Sequence, residues 1–471
     1  LQVKFKYWRN FSFFAMVIFI AGCQSYEPKP LDIGVYRNSL ETRLIDIEPV
    51  TAFANRLGAV EGIPSKFDIS DGISPAEGEV VALFYNPELR IARLKAGVAL
   101  ADFETAGLWE DPVFGFDGAE ISSPSAPFEF GIKGKFTIPI SGRLEVEKTR
   151  AGSAYESQLR SLVNAEWNLR ATIRTQWSAW TTAMLRKQLV YEVIDQLERI
   201  NALANTLYEA DEINRVEYRL LQVELATIKV LKTEIELELF QEVTALLDLL
   251  GLPQDCSALL LPQFPTVAIT EVDDETIRLI DANTELAIQF ATYQTAEETL
   301  RLEIKKQYPD IVIGSGYGSE FNDHRVLFGL SIPLSIWNRN QAGIAKARTT
   351  REVARAQAET TFARLFRELA LANTILLMKQ TQHTFFKDEI IPMLESQASD
   401  VEKIVSLGEV DTFILLETVT RQFEAKQRLL ELSKAELHAS ITVQRILGPE
   451  YQRNPSPINR EIQNDTLGGV Q

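Results

Sequence analysis

Cysteine, histidine and methionine are scarce in this chain. Two cysteines in 471 residues cannot build a disulfide framework. His324, His383 and His438 lie far apart in sequence and form no metal-ligand cluster. Met16, one of four methionines, sits in an N-terminal apolar run, which leaves no thioether ladder for soft metals. No nucleophile–base pair or metal-ligand spacing is visible, so enzyme chemistry has no site and no cofactor is expected. No run of about 20 apolar residues occurs, which excludes an ordinary transmembrane helix. A net charge of −17 argues against nucleic acid as a partner. Gly314-Ser315-Gly316-Tyr317-Gly318 imitates a phosphate loop but has no Lys-Ser/Thr after it and opens no helix. Glycines on a crowded strand face account for it better.

The N-terminus is patterned. Lys4, Lys6 and Arg9 precede an apolar stretch over residues 11–20, and small residues follow. That is the layout of a secretory signal peptide, taken as residues 1–22. Leu1 in place of Met reads as an alternative start codon. Cys23 follows Ile20-Ala21-Gly22. A core thiol beside an ordinary cleavage site is one reading. The stretch also resembles the bacterial lipoprotein lipobox, which implies that Cys23 is acylated and becomes the new N-terminus. Acyl chains contribute about 0.8 kcal/mol per buried methylene, so several would anchor firmly. Gln24 after the cysteine implies, by the same resemblance, the outer membrane.

The body of the chain repeats itself. Asn86-Pro87-Glu88-Leu89 returns as Asn283-Thr284-Glu285-Leu286, an offset of 197 from position 86 to position 283. At the same offset Pro112 returns as Pro309, Asp211-Glu212-Ile213 as Gly408-Glu409-Val410, and Leu250-Gly251 as Leu447-Gly448. Four landmarks in one register predict a duplicated layout.

Each copy reads as a helix, a hairpin and a pair of long helices. Residues 89–110 have helical spacing and stop at Pro112. Over 128–140 the even positions are Phe128, Phe130, Ile132, Phe136, Ile138 and Ile140, while the odd positions carry Glu129, Lys133 and Lys135. That alternation predicts a strand with one apolar face, and 113–121 supplies its partner. In the second copy 311–314 and 326–336 alternate in the same way. Residues 143–210 contain no proline and predict one helix of about 100 Å at ~1.5 Å per residue. Such a helix must pack on other helices. Its counterpart runs over 338–407, with a kink or break expected at Pro392. Each long helix reverses at a short acidic turn and returns over 216–250 or 413–447. The boundaries read as a leader and equatorial segment over 23–80 and a first repeat over 81–252, with its hairpin at 112–140 and helical hairpin at 143–250. A linker follows over 253–280. The second repeat spans 281–448, with its hairpins at 309–337 and 338–447, and a polar tail covers 449–471.

Four strands of this length and pattern suit a membrane. They cannot close a barrel alone, and open edges cannot face lipid. The strands are therefore pooled between protomers, or they pack in a soluble core. The stretches NPELRIARLKAGVALADFETAGLWEDP, TIPISGR, YEADEINRVEY, SIPLSIWNRNQAGIAKAR and SLGEVDTFILLE, in this order and duplicated, resemble the TolC-like outer-membrane efflux family over roughly residues 68–448. The fold class is then mainly α with a small β part. The resemblance implies a homotrimer with a twelve-stranded barrel in the outer-membrane lipid, continued by a periplasmic α-helical barrel. It implies a periplasmic membrane-fusion adaptor and an inner-membrane pump as partners, the RND type favoured. IPLSIWNRNQAGIAKAR is similar to the heavy-metal branch. Cargo remains open between metal ions, drugs and protein. A conduit for type I secretion and a structural coiled-coil envelope lipoprotein are the competing readings.

By position relative to the turn, Glu417 matches the family's inner gate acid, with Asp411 beside it. Ile414 stands where some members carry a second acid. The bland alternative, acids solvated on exposed turns, stays open. The resemblance places adaptor contacts at the helix tips, on Ala210, Asp211, Glu212, Ile213 and Asn214 of one hairpin and Leu407, Gly408, Glu409 and Val410 of the other. Trp109, Tyr308 and Trp337 fall at strand ends, where either a membrane-interface belt or ordinary packing accounts for them.

Overall fold

The structure is a computed structural model and describes residues 25–43, 48–57, 67–119, 129–267, 274–320, 323–334, 336–406 and 411–449. The chain divides into two units, residues 1–46 and 47–471. The described part of the first holds helix α1 (Ile33–Glu41), capped by Asp32, whose side chain accepts from the Gly34 and Val35 amides.

The second unit begins with α2 (Glu48–Leu57), α3 (Pro75–Tyr85) and α4 (Pro87–Thr105). Local chemistry sets these boundaries. Ser74 and Glu77 form a reciprocal capping box, with Pro75 in the first turn of α3. Asn86 ends α3 and caps α4. Strands β1 (Val113–Ala119) and β2 (Glu129–Ile138) follow, then α5 (Arg143–Glu209) and α6 (Arg215–Leu250). A short 3₁₀ turn, Gln254–Leu259, leads into a strap that pairs Leu260 with Ile73. The second copy comprises α7 (Glu275–Ala282), α8 (Thr284–Lys305), β3 (Ile311–Glu320), β4 (Asp323–Ser331), α9 (Gln341–Phe385), α10 (Ile391–Ser406) and α11 (Thr412–Leu447).

The offset of 197 reappears in the hydrogen bonds. Asn86 accepts from the Leu89 amide and donates to the Leu249 carbonyl. Asn283 accepts from the Leu286 amide and donates to the Ile446 carbonyl. Each asparagine thus caps its own helix start and ties it to the end of the last helix of the same copy. Gly251 and Gly448, which follow those last helices, both have positive φ, at 68° and 82°.

The long helices pack through coiled-coil seams. Leu221, Ile228 and Ile235 of α6 recur every seven residues and meet Val193, Leu197 and Ala204 of α5 and Leu416 and Phe423 of α11. Leu365, Leu369, Leu376 and Ala372 of α9 alternate by four and three against Ala439, Val443 and Ile446 of α11. A π turn at Phe386–Ile390 separates α9 from α10. Pro392 is the second residue of α10, directly after the π turn, where the altered hydrogen-bond pattern accommodates its missing N–H. The expected break near Pro392 is therefore a change of helix type just before it, with the chain staying helical throughout.

The strands are shorter than the alternation predicts. β2 stops at Ile138 and β4 at Ser331. Pro139 and Pro333 follow closely, and proline has no N–H to donate to a ladder.

His438 of α11 is half-buried against α5, with Nε2 2.6 Å from the Ser178 hydroxyl, which also donates to the Thr175 carbonyl at 2.7 Å. Burial pushes the imidazole below its ordinary value and Lys434 adds to this, while the Thr175 carbonyl and Glu431 oppose it. The folded state then binds fewer protons than the unfolded one. Its stability is fully present above about pH 6.5 and falls as pH drops through and below that value. Thermal unfolding at pH 7.5 and 5.5 checks this: the midpoint drops on acidification, and His438→Gln flattens the profile.

Candidate functional site

The four strands form one antiparallel sheet in the order β1-β2-β3-β4. Register assigns the faces. Phe116 pairs with Ile132, Ile132 with Tyr317, and Tyr317 with Val326. With Phe114, Phe136, Ile313, Phe328 and Leu330 they make one apolar face, and its side chains are exposed, Phe328 by 85%. The opposite face carries Asp117, Glu129, Lys133, Lys135 and Arg325 among glycines. Gly314, Gly316 and Gly318 lie on that polar face. A Cβ at Gly318 would stand 2.5 Å from the Phe130 carbonyl oxygen and one at Gly316 3.1 Å from the Ile132 carbonyl oxygen, so close strand approach explains these two glycines, while Gly314 has ordinary room.

Trp109, Tyr308 and Trp337 sit where the sheet meets the helices, all exposed, Trp337 by 93%. Trp109 stacks on Phe136 of the apolar face. Among the described residues no helix is long and apolar enough to cross a membrane.

The α5–α6 tip is well defined. Ala210 caps the end of α5. Asp211 adopts a left-handed backbone, φ 58°, which aspartate tolerates in tight turns. Ile213 packs on the seam, and the Asn214 side chain caps α6. Tyr208 stacks on Tyr218 with ring centroids 5.3 Å apart. Glu212 is exposed. In the second hairpin Leu407, Gly408, Glu409 and Val410 lie outside the described residues, as does Cys23. Asp411 caps α11, accepting from the Phe413 and Ile414 amides. It corresponds to Asn214 across the offset, so the same cap is neutral in one copy and acidic in the other. Glu417 lies nearly two turns further along α11 and accepts from Arg421.

Two clusters escape sequence reading. Glu79 of α3 is buried against Arg170 and Arg174 of α5, and Arg174 also donates to Gln444 of α11. Residues 79 and 174 are too far apart for any periodic signal, although Arg170 and Arg174 share a helix face with the apolar Ile173 and Trp177. The second cluster joins His383 to Glu436 and to the Ser433 hydroxyl. It imitates a nucleophile–base–acid row, but Ser433 donates its proton to the Leu429 carbonyl of its own helix. Among the described residues no group of three or more His, Cys, Asp or Glu could hold a metal ion.

No protein-family model matches the chain. It is 24% identical over 321 residues to the cobalt-zinc-cadmium resistance protein CzcC of Cupriavidus metallidurans, covering 66% of this chain and 75% of that protein. The solved structure of CusC, described for folding and transmembrane channel formation, aligns with a TM-score of 0.67 at 17% identity, over 82% of this chain and 97% of CusC. The open state of the Neisseria gonorrhoeae MtrE outer membrane channel aligns with a TM-score of 0.69 at 17% identity, over 84% and 96% of the two chains. The Campylobacter jejuni CmeC outer membrane channel aligns at 0.69 and 12% identity, over 88% and 95%.

Proposed function

We propose that this chain, which has the fold of the TolC-like outer-membrane channels, is the outer-membrane subunit of a tripartite efflux system. One observation carries the reading: a sheet with an exposed apolar face and two open edges continues directly into a helical hairpin about 100 Å long. Open edges are not tolerated in lipid. Three copies supply twelve strands and close the sheet into a barrel. The helices support the same assembly. Val216, Val223, Val230 and Leu237 of α6 recur every seven residues, exposed, about 140° around the helix from the buried seam. A neighbouring copy would cover this stripe as coiled-coil partners do.

In this assembly the hairpin tips meet a periplasmic adaptor that links the channel to an inner-membrane pump, of the RND type. A lipid on Cys23 holds the N-terminus at the outer membrane. Intact mass of the mature N-terminal peptide tests the lipid. The similarity to CzcC makes divalent metal cations the cargo we propose. A deletion strain should then become sensitive to cobalt, zinc or cadmium and recover on complementation. Heat-resistant trimers that conduct in a planar bilayer support the channel. A water-soluble monomer without conductance overturns it and favours a structural coiled-coil lipoprotein.

Glu417 is the gate acid of this reading, held by its pairing with Arg421 one turn away. Three carboxylates around the lumen bind divalent cations and block current. Glu417→Gln is expected to relieve that block several-fold, and Arg421→Gln to deepen it. Equal block in all three proteins in single-channel recordings would remove Glu417 from the gate.

A further inference from the structure

The polar face of the sheet is sorted by charge along its strands. β1 and β3 begin, and β2 and β4 end, at the side joined to the helices. Starting there, the first charged row holds Lys135, opposite Val113 and Gly314. The next row holds Lys133, opposite Gly115 and Gly316. The third holds Asp117 and Arg325, joined through Gly131 and Gly318, and the last holds Glu129. Rows on one face lie about 7 Å apart, so the face runs from basic through mixed to acidic over a short distance.

The glycines sharpen this sorting. No carboxylate shares a row with either lysine. Lys133 reaches the Asp117 carboxylate in the next row at 2.5 Å, which neutralises it. Lys135 is exposed on the strand and forms no ion pair among the described residues. It is a cation of the polar strand face, near the end where the sheet passes into the helices.

We infer that Lys135, with Lys133 held in reserve by Asp117, forms a basic collar at the inner end of the barrel lumen and sets the charge selectivity of small-ion flow there. The inference rests on the channel reading, because three copies are needed to turn one lysine into a ring. A ring of like charge inside low-dielectric walls concentrates counter-ions. At the collar small anions are favoured over small cations by a modest factor, which biases passive ion flow without closing the lumen to cations. Charge selection is then built into the barrel as well as the tip.

Reversal potentials of trimers in planar bilayers under a potassium chloride gradient test this. Lys135→Gln is expected to raise the potassium-to-chloride permeability ratio about twofold at 0.1 M salt, where the Debye length is about 10 Å, with a smaller change at 1 M. Asp117→Asn frees Lys133 and moves the ratio the opposite way. Lys135→Arg keeps the wild-type ratio. Conducting Lys135→Gln and Asp117→Asn trimers with wild-type ratios overturn the collar and leave the channel reading intact. Wild-type trimers that pass no current overturn both.

Discussion

Glu79→Ala should cost the folded chain about 3–5 kcal/mol, because it removes the buried carboxylate that pairs with two buried cations. Glu79 is 2% exposed, and both of its partners, Arg170 and Arg174, are buried. One carboxylate oxygen accepts from Arg170 Nε at 2.6 Å, and the other faces Arg174 Nε. Arg174 spends a further N–H on Gln444. The cluster sets the Glu79 carboxylate between two guanidinium groups, with the Glu166 carboxylate also close enough to interact with Arg170. The cluster also ties α3 and α11 to α5. Loss of the carboxylate therefore loosens three elements at once. The unfolding rate of the solubilised protein at fixed temperature is the suitable measure, since large envelope assemblies unfold irreversibly. Glu79→Gln should fall between wild type and alanine, because it restores shape and one acceptor without charge. Replacing Glu79, Arg170 and Arg174 together with leucine should cost less than Glu79→Ala alone, as expected when an ion cluster is removed whole. A triple variant worse than the single would show that the cluster stabilises as charge rather than as a satisfied unit.

Trp177→Ala is the second large loss, again about 3–5 kcal/mol. The indole is fully buried. It lies edge-on to Trp180, with centroids 5.9 Å apart at 88°. Its N–H donates to the Leu261 carbonyl at 3.1 Å, which pins the inter-repeat strap to α5. Its ring occupies the space that Gly78 leaves open on α3: a Cβ there would stand 2.3 Å from the ring. Gly78→Ala should therefore also destabilise, by about 1–3 kcal/mol of overpacking. The two effects oppose each other geometrically. In the Trp177→Ala background, Gly78→Ala should be much less costly than in wild type, because its methyl group enters the cavity. Unfolding rates of the two single variants and the double variant at one fixed urea concentration check this. Additive costs would mean that the ring and the glycine do not share that space.

Much of the architecture is legible before any coordinates. Asn86 and Asn283 announce helix starts, Gly251 and Gly448 announce helix ends, and the offset between them announces two copies. The long helix expected over 143–210 is observed as Arg143–Glu209. These signals are local: a cap, a φ preference or an apolar stripe acts within one or two turns. Misreadings are local as well. Alternation runs on through Pro139 and Pro333, but the ladder cannot, because alternation records side-chain placement and the ladder needs an N–H.

The sequence by itself determined which residues form helices and strands, and that each strand has a greasy and a polar face. Only the tertiary structure decided what stands beside what. Arg170 and Arg174 fit a solvated helix face equally well until α3 brings Glu79 onto them. Lys133 and Lys135 are alternate polar positions until the β1–β2 and β2–β3 registers set Asp117 beside one and glycine beside the other. Such partners are joined by contacts between distant segments, whose closure is set by the packing of the whole chain.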